Sequence, residues 1–590
     1  MNKKLKPLVI VAAAVLIFAA GIWFLSRPPR GLKPADGMLP GNEVNVALGR
    51  SAVIVEGDIA DPIETVSART GQTPVPPEGF WRKLGGTGVV AFCDIGAEPI
   101  HVRVRTRYRD TQYTLPPSSF RSGALLCAVD LELPQDFQFE GVPDTALAYS
   151  PDGRRLAIGS ASGQLKLVPA PGAPEPDDEA SAPEVFSKAI REGAAKALAF
   201  AAGGAVLVAG EQSPDGFVYG FDTKDSKELW RFRLAGELGT SRPTANDYLP
   251  LYQFPGAARL IALPDGDVLV LGRHSWRPDA QTRKAQSRLY RLNARTGEVR
   301  WRYPAGAPEE RNITWFDASR DGARLACVLS IPGAGQAGVS EAPLELVALD
   351  GETGAETGRL TFAPLKPHFT STLSWQALSL RPDGAGGVLG ADDGRVWGLS
   401  FDPSGKPAVR WQVDLGTPIQ AGGLMVHCGI GWALATEQAY FAEVDKNWEK
   451  FGAATRTGRP ADVHPEACSI HAFDPGLQTP QRLWRYQVSC RPQGLWLSPD
   501  GRWLGFAYEE PEGTDAQGKP TPPDYGVLMF DLHAPGSGAQ KLRYRFSSEG
   551  PLGFAGCFSP DGRFLAVTEG PRPGTDRLSG TRTYRVLVLH

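Results

Sequence analysis

The sequence predicts an all-β chain: an eight-bladed β-propeller, with seven blades as the alternative, preceded by a single transmembrane helix and a small β-sandwich-like domain. Three observations predict it. An uncharged apolar run opens the chain, short alternating strands follow, and a Ser-Pro-Asp-Gly turn between apolar strands recurs to the C-terminus. Composition agrees. Its 590 residues include 68 Gly and 51 Pro, yet 42% are hydrophobic and 14 are Trp. Gly and Pro together make about a fifth of the chain, against roughly 12% in average usage. A turn-rich chain with this much apolar material can bury a large core, which excludes disorder over the whole length. With 22% charged residues of interspersed sign and a net charge of −3, there is no basic footprint for nucleic acid. Seven Cys are too few for a disulfide scaffold.

Residues 1–7 form a basic tail carrying Lys3, Lys4 and Lys6. Residues 8–25, LVIVAAAVLIFAAGIWFL, hold no charge and no hydroxyl. As a helix this run spans roughly 27 Å, close to the hydrocarbon thickness of a bilayer. Trp23 near its end suits the interface. A cleaved signal peptide needs a shorter apolar stretch closed by a small-x-small site. Here Ile22, Trp23, Phe24 and Leu25 follow the only small run, and no Cys stands near residue 20 for lipid attachment. An uncleaved single-pass anchor is therefore expected. Arg27, Arg30 and Lys33 follow the span, so the charge bias is slight. A short basic tail before one span is the usual signal-anchor arrangement, which puts the bulk of the chain outside the cytoplasm.

Residues 26–42 are Pro/Gly-rich and read as a tether. Residues 43–130 alternate apolar and polar in short runs such as AVIVEG and HVRVRTRY, separated by turn residues. They read as a small β-sandwich-like domain, immunoglobulin-like in architecture at most, since no Cys-Trp-Cys spacing is present. Cys93 with Cys127, and Cys468 with Cys490, read either as disulfides of an oxidising compartment or as buried small hydrophobes.

Residues 131–590 are the propeller region. Ser150-Pro151-Asp152-Gly153, Ser498-Pro499-Asp500-Gly501 and Ser559-Pro560-Asp561-Gly562 are full copies of the marker. Leu263-Pro264-Asp265-Gly266, Ser319-Arg320-Asp321-Gly322 and Arg381-Pro382-Asp383-Gly384 are degenerate copies, and Ala201-Ala202-Gly203-Gly204 is weaker. Pro presets φ at the second turn position, Asp caps its own turn, and Gly supplies a positive φ. Apolar strands on both sides make each marker a hairpin. Spacings between first residues are 113, 56, 62, 117 and 61; halving the long gaps leaves a period of 56 to 62. That period suits a four-stranded blade. An apolar pair of strands near 423–436 fills the remaining gap, although the sixth repeat (417–490) is poorly marked. Each repeat continues with a third strand, an Asp/Asn-x-x-x-Gly turn, and a fourth strand bearing Trp230, Trp301, Trp411 or Trp484. These Trp are expected to pack one blade on the next. The last repeat shows only three strands, so the stretch near 128–141 is expected to supply its fourth and close the ring, removing exposed edges.

The SPDGR turns followed by an apolar strand resemble WD-repeat-like and lactonase-like bacterial propellers. Segments such as RTGEVRW at 295–301 resemble the repeats of quinoprotein (pyrroloquinoline-quinone-like) propellers. The resemblance covers the propeller region and implies the fold, with a cofactor on the channel axis in the quinoprotein enzymes. It also implies a bacterial setting; with the anchor read from residues 8–25, the expectation is a single-pass inner-membrane protein with its bulk in the periplasm.

No catalytic, cofactor-binding or metal residues are assigned from the sequence, and no cofactor is expected. Residues 513–519 have the outline of a phosphate loop, but Pro520 stands where Ser or Thr is needed. Residues 159–163 lack the nucleophile of a Gly-x-Ser-x-Gly elbow. His427-Cys428 and His464 with Cys468 are the only His/Cys groupings with metal potential, and satisfied side chains account for them better. Neither the vicinal Cys pair nor the calcium ligand set that the quinoprotein resemblance implies is present. Residues 273–288 form a basic cluster around Trp276, either a docking patch or a solvated hairpin tip. Polar insertions at 170–183 and 509–525 read as surface loops. The expected function is a non-catalytic platform for other envelope or periplasmic proteins. A quinoprotein-like oxidoreductase, or a small-molecule binder using the channel, is the alternative.

Overall fold

The computed structural model describes the strands between 44 and 132 and most of 143–590. Outside the described residues lie 1–43, 49–51, 58–62, 71–72, 75–79, 83–88, 93–98, 107–109, 116–124, 133–142, 144, 171–185, 190–193, 241–253, 277–283, 331–343, 364–377, 392–394, 415–418, 428–431, 439–468, 474–481, 488–490, 511–512, 515–519, 522, 534–541 and 572–582. The expected span at 8–25 and the tether at 26–42 therefore lie outside them. Among the described residues no helix is long and apolar enough to cross a membrane. Strands account for nearly all regular structure. The helical elements described are the single turns Ala202–Gly204 and Ala235–Leu238.

The chain divides into two compact units, 1–127 with His590, and 128–589. In the first unit, Val44–Leu48, Ala52–Gly57, Phe80–Arg82 and Val89–Phe92 form one antiparallel four-stranded sheet. Ile63–Thr70, Thr73–Pro74, Ile100–Thr106 and Asp110–Leu115 form a second. The alternation of Ile100–Thr106 is what makes a one-sided strand. Ile100, Val102 and Val104 are buried, while Arg103 and Arg105 point to water and pair with Asp110 and Glu64.

In the second unit the described strands, apart from one short pair (Gly513–Thr514 with Pro520–Thr521), fall into eight four-strand antiparallel sets in chain order, at 146–189, 194–233, 256–303, 312–362, 378–414, 419–487, 491–548 and 552–589. The eighth set takes its fourth strand, Leu125–Glu132, from before the first set. The second and third sets share a pairing at Gln212 and Gly256. The first strands are innermost. They pack on one another from set to set, and the first strand of the eighth set packs on Ala146–Tyr149 of the first. This cyclic contact makes the unit a β-propeller.

The core lies between neighbouring sheets. Val206, Val208 and Trp230 of the second set, for example, pack against Val268, Val270 and Tyr290 of the third. Second and third strands are covered on both faces, and so read as unbroken apolar runs such as VLVAG at 206–210. Fourth strands border solvent and alternate, as in Glu228–Arg233.

Because each set runs up, down, up, down, its first–second and third–fourth turns share one end, called here the turn end. Second–third connections and the links between sets share the other, the loop end. The first–second turns hold only four to six residues throughout, for example 150–154, 319–323 and 498–502. At the loop end the connections 133–145, 234–255, 331–343, 363–377, 439–468, 511–523 and 570–582 are all longer than ten residues. At the turn end only 170–185 is comparable.

Candidate functional site

At the turn end the markers fold as their residue types require. Gly153, Gly322, Gly501 and Gly562 take φ of 71°, 72°, 73° and 69°. Ser is the hub of the full markers. Ser559 Oγ donates to Asp561 Oδ1 at 2.5 Å and accepts the Phe564 amide at 2.9 Å, while Asp561 accepts the Arg563 amide at 3.1 Å. Ser150 repeats this with Asp152 and Arg155, and Ser498 with Asp500 and Trp503. Where Arg381 replaces Ser, its guanidinium holds Asp383 at 2.7 Å instead. The turns also abut one another: Pro151 lies beside Gly204, Ala202 beside Gly266, Leu263 beside Gly322, Ser498 beside Gly562, and Pro560 beside Gly153.

The third–fourth turns receive the previous set. Trp230 Nε1 donates to the Ala294 carbonyl at 2.8 Å, and Trp301 Nε1 to the Gly351 carbonyl at 3.0 Å. Their rings lie flat on Gly297 and Gly354, at φ of 73° and 70°. The expected inter-blade role of Trp230 and Trp301 is thus seen directly. Trp411 is buried against Gly398 of its own set, and nothing is described of the Trp484 side chain. Arginines add a second tie: Arg324 reaches the Pro403 carbonyl at 2.8 Å, Arg291 reaches Gly351 at 2.6 Å, and Arg155 reaches Thr223. The turn end is consequently short and stitched.

At the loop end, ionic clusters root the connections. Glu211 is 1% exposed and accepts from Ser213 Oγ at 2.6 Å, the Phe217 amide at 3.1 Å and Tyr219 Oη at 3.2 Å. Burial raises its carboxyl pKa, and those hydrogen bonds only partly offset this. Glu237 accepts from Arg288 at 2.6 Å, Arg302 at 2.7 Å and Tyr290 at 3.0 Å. Burial disfavours the Glu345 carboxylate, but Arg311 at 2.8 Å and Arg359 outweigh it and hold its pKa low. Asp524 pairs with Arg545, which stacks on Tyr508 at 4.4 Å. Glu569, 1% exposed, accepts the Glu549 and Gly550 amides at 2.8 and 3.1 Å and holds Arg585 Nε at 2.7 Å. These clusters flank the connections 234–255, 331–343, 511–523 and 570–582, and hold the described residues at their ends.

A cavity of about 470 Å³ lies at the turn end, between the first strands of the third, fourth and fifth sets. Arg259 of Gly256–Ala262 stacks on Trp315 at 4.0 Å and pairs with Asp317 at 3.1 Å, and also donates to the Phe316 carbonyl. Asp317 Oδ2 accepts the Leu380 amide at 2.8 Å, tying three consecutive inner strands together. Burial raises the Asp317 carboxyl pKa, and the Arg259 charge opposes it. Burial likewise lowers the Arg259 pKa, and the Asp317 carboxylate beside it opposes that. Sequence reasoning missed this site. The local signal was Arg320, which stands where five other markers have Pro.

Of the groupings noted in the sequence, Cys93, Cys428, His464, Cys468 and Cys490 lie outside the described residues. His427 and Cys127 lie in strands whose side chains there are not described. Cys327 and Cys557 are free thiols. Among the described residues no group of three or more His, Cys, Asp or Glu could hold a metal ion. In the 273–288 cluster His274 and Trp276 are buried, and Arg288 turns inward to Glu237.

No family model and no curated protein matches the chain. Among solved structures it is similar to the C-terminal WD40 domain of Sif2, at 11% identity over 78% of this chain and 98% of that one, TM-score 0.42. It is similar to the Dos1 propeller at 13% identity, covering 78% and 93%, TM-score 0.43. It is also similar to Kuenenia stuttgartiensis hydrazine synthase at 13% identity, covering 74% and 96%, TM-score 0.38. The propeller assignment rests on the cyclic strand sets themselves.

Proposed function

We propose that the chain is a non-catalytic assembly platform, tethered to the bacterial inner membrane by residues 8–25 and exposed outside the cytoplasm. Its propeller has eight blades, and the loop end engages other envelope or periplasmic proteins. One observation carries this reading: long connections gather at the loop end on ion-paired roots, while the turn end is short and stitched. A rigid ring presenting long segments at one end is how a scaffold positions contacts. The eight-blade count is supported by the eight strand sets and by the contact of the last first-strand with the first. The test is purification from the native membrane of two proteins: wild type, and a variant with 331–343 and 570–582 replaced by short Gly/Ser links. Loss of a stoichiometric partner from the variant supports the platform; retention contradicts it.

The cavity at Arg259 and Trp315 favours a second reading, a small-molecule binder using the channel wall, of which a quinoprotein-like oxidoreductase is the enzymatic form. Absorbance and elemental analysis of the purified protein test the enzymatic form: a bound quinone or calcium supports it.

A further inference from the structure

We propose that the cavity at the turn end of the third to fifth sets binds a small organic monoanion, a carboxylate on an apolar body, with Arg320 receiving the carboxylate. The inference deepens the small-molecule reading and rests on it. The volume of about 470 Å³ suits a small ligand. Its charged lining residues are Arg259, Arg320 and Asp317. Arg259 and Asp317 neutralise each other at 3.1 Å, and Asp317 is further held by the Leu380 amide at 2.8 Å. That leaves Arg320, exposed and without a carboxylate partner among the described residues, as the uncompensated charge. Ile261, Leu263, Leu378 and Leu380 supply apolar wall for the ligand body.

The repeat departs from its own rule at this point. Five other markers carry Pro at the second position: Pro151, Pro264, Pro382, Pro499 and Pro560. Arg320 instead donates its amide to the Pro382 carbonyl at 2.9 Å, a bond that proline has no N–H to make. The substitution therefore fixes this turn against the next and sets a cation at the cavity.

The test is calorimetric titration of the full chain in nanodiscs with 3-phenylpropanoate and with its neutral amide. We expect the acid to bind about ten-fold more tightly than the amide, as a hydrogen-bonded charge contact requires. Arg320→Gln should abolish that preference with an unchanged melting temperature, and Arg320→Lys should keep it. Equal or tighter binding of the amide to wild type overturns the anion assignment while leaving the small-molecule reading intact. Acid preference that survives in R320Q overturns the role of Arg320. Binding of neither ligand overturns both the inference and the reading beneath it.

Discussion

Two glycines with nearly the same φ offer a direct test of the inter-blade contact. Gly203 and Gly354 have φ of 69° and 70°, so Gly→Ala imposes the same left-handed penalty at both, about 1–2 kcal/mol. Their surroundings differ. A Cβ on Gly203 meets nothing within 4 Å, whereas a Cβ on Gly354 falls 2.6 Å from Cδ2 of Trp301. Trp301 is 8% exposed and pinned to Gly351 by its indole N–H, so it cannot simply swing away. Overpacking of that kind adds about 1–3 kcal/mol. Gly203→Ala should therefore cost about 1–2 kcal/mol and Gly354→Ala about 2–5 kcal/mol. Trp301→Ala alone should cost about 3–5 kcal/mol. Because Gly351 keeps its hydrogen bond from Arg291 at 2.6 Å, that loss comes from packing and not from an orphaned carbonyl. In the Trp301→Ala background, Gly354→Ala should fall back to the Gly203→Ala cost, a coupling that a double-mutant cycle isolates. Urea midpoints of the propeller transition, compared at equal slope, give the readout. Equal costs for the two glycines, or no coupling to Trp301, would refute the stitched turn end.

Other consequences are simpler. Ser498→Ala removes the Oγ that donates to Asp500 and accepts the Trp503 amide at 2.8 Å, and should cost about 1–3 kcal/mol by urea unfolding; a neutral result contradicts the hub role. Burial raises the Glu211 pKa, so its contribution to stability is full below the unfolded value and lost as pH rises through the folded one. Relative to Glu211→Gln, wild type should gain stability as pH falls from neutral toward the ordinary glutamate value of about 4.3, and pH-dependent midpoints showing the opposite slope would sink this assignment. Asp321 behaves inversely: its pKa is lowered by bonds from Ser319 and the Ala323 amide, so on acidification wild type should lose stability relative to Asp321→Asn. Parallel pH curves for the two proteins would contradict it.

What was legible in the sequence is what local chemistry dictates. Pro, Asp and Gly fix a turn within four residues, so the markers announced their hairpins at a distance. Trp230 and Trp301 were legible as blade-to-blade contacts because they recur at one place in the repeat. The Ser hub was not seen, since Pro-Asp-Gly already explains a turn and only coordinates show Oγ bridging Asp561 and the Phe564 amide. The cavity was harder still. Arg259, Asp317 and Leu380 come from three sets, separated by 58 and 63 residues, and no window of the chain contains them together. The loop-end clusters have the same origin: Arg302 and Glu237 lie 65 residues apart. The uneven connection lengths follow from strand boundaries that the marker spacing alone left open.

A platform role depends on which end of the propeller engages partners. The decisive measurement is quantitative mass spectrometry of complexes purified from the native membrane with three proteins: wild type, the 331–343 and 570–582 replacement, and Ser498→Ala at the turn end. One stoichiometric protein partner should be held equally by wild type and Ser498→Ala and lost from the loop-end replacement. A partner retained by the replacement, or a partner-free protein carrying quinone or metal, would contradict it.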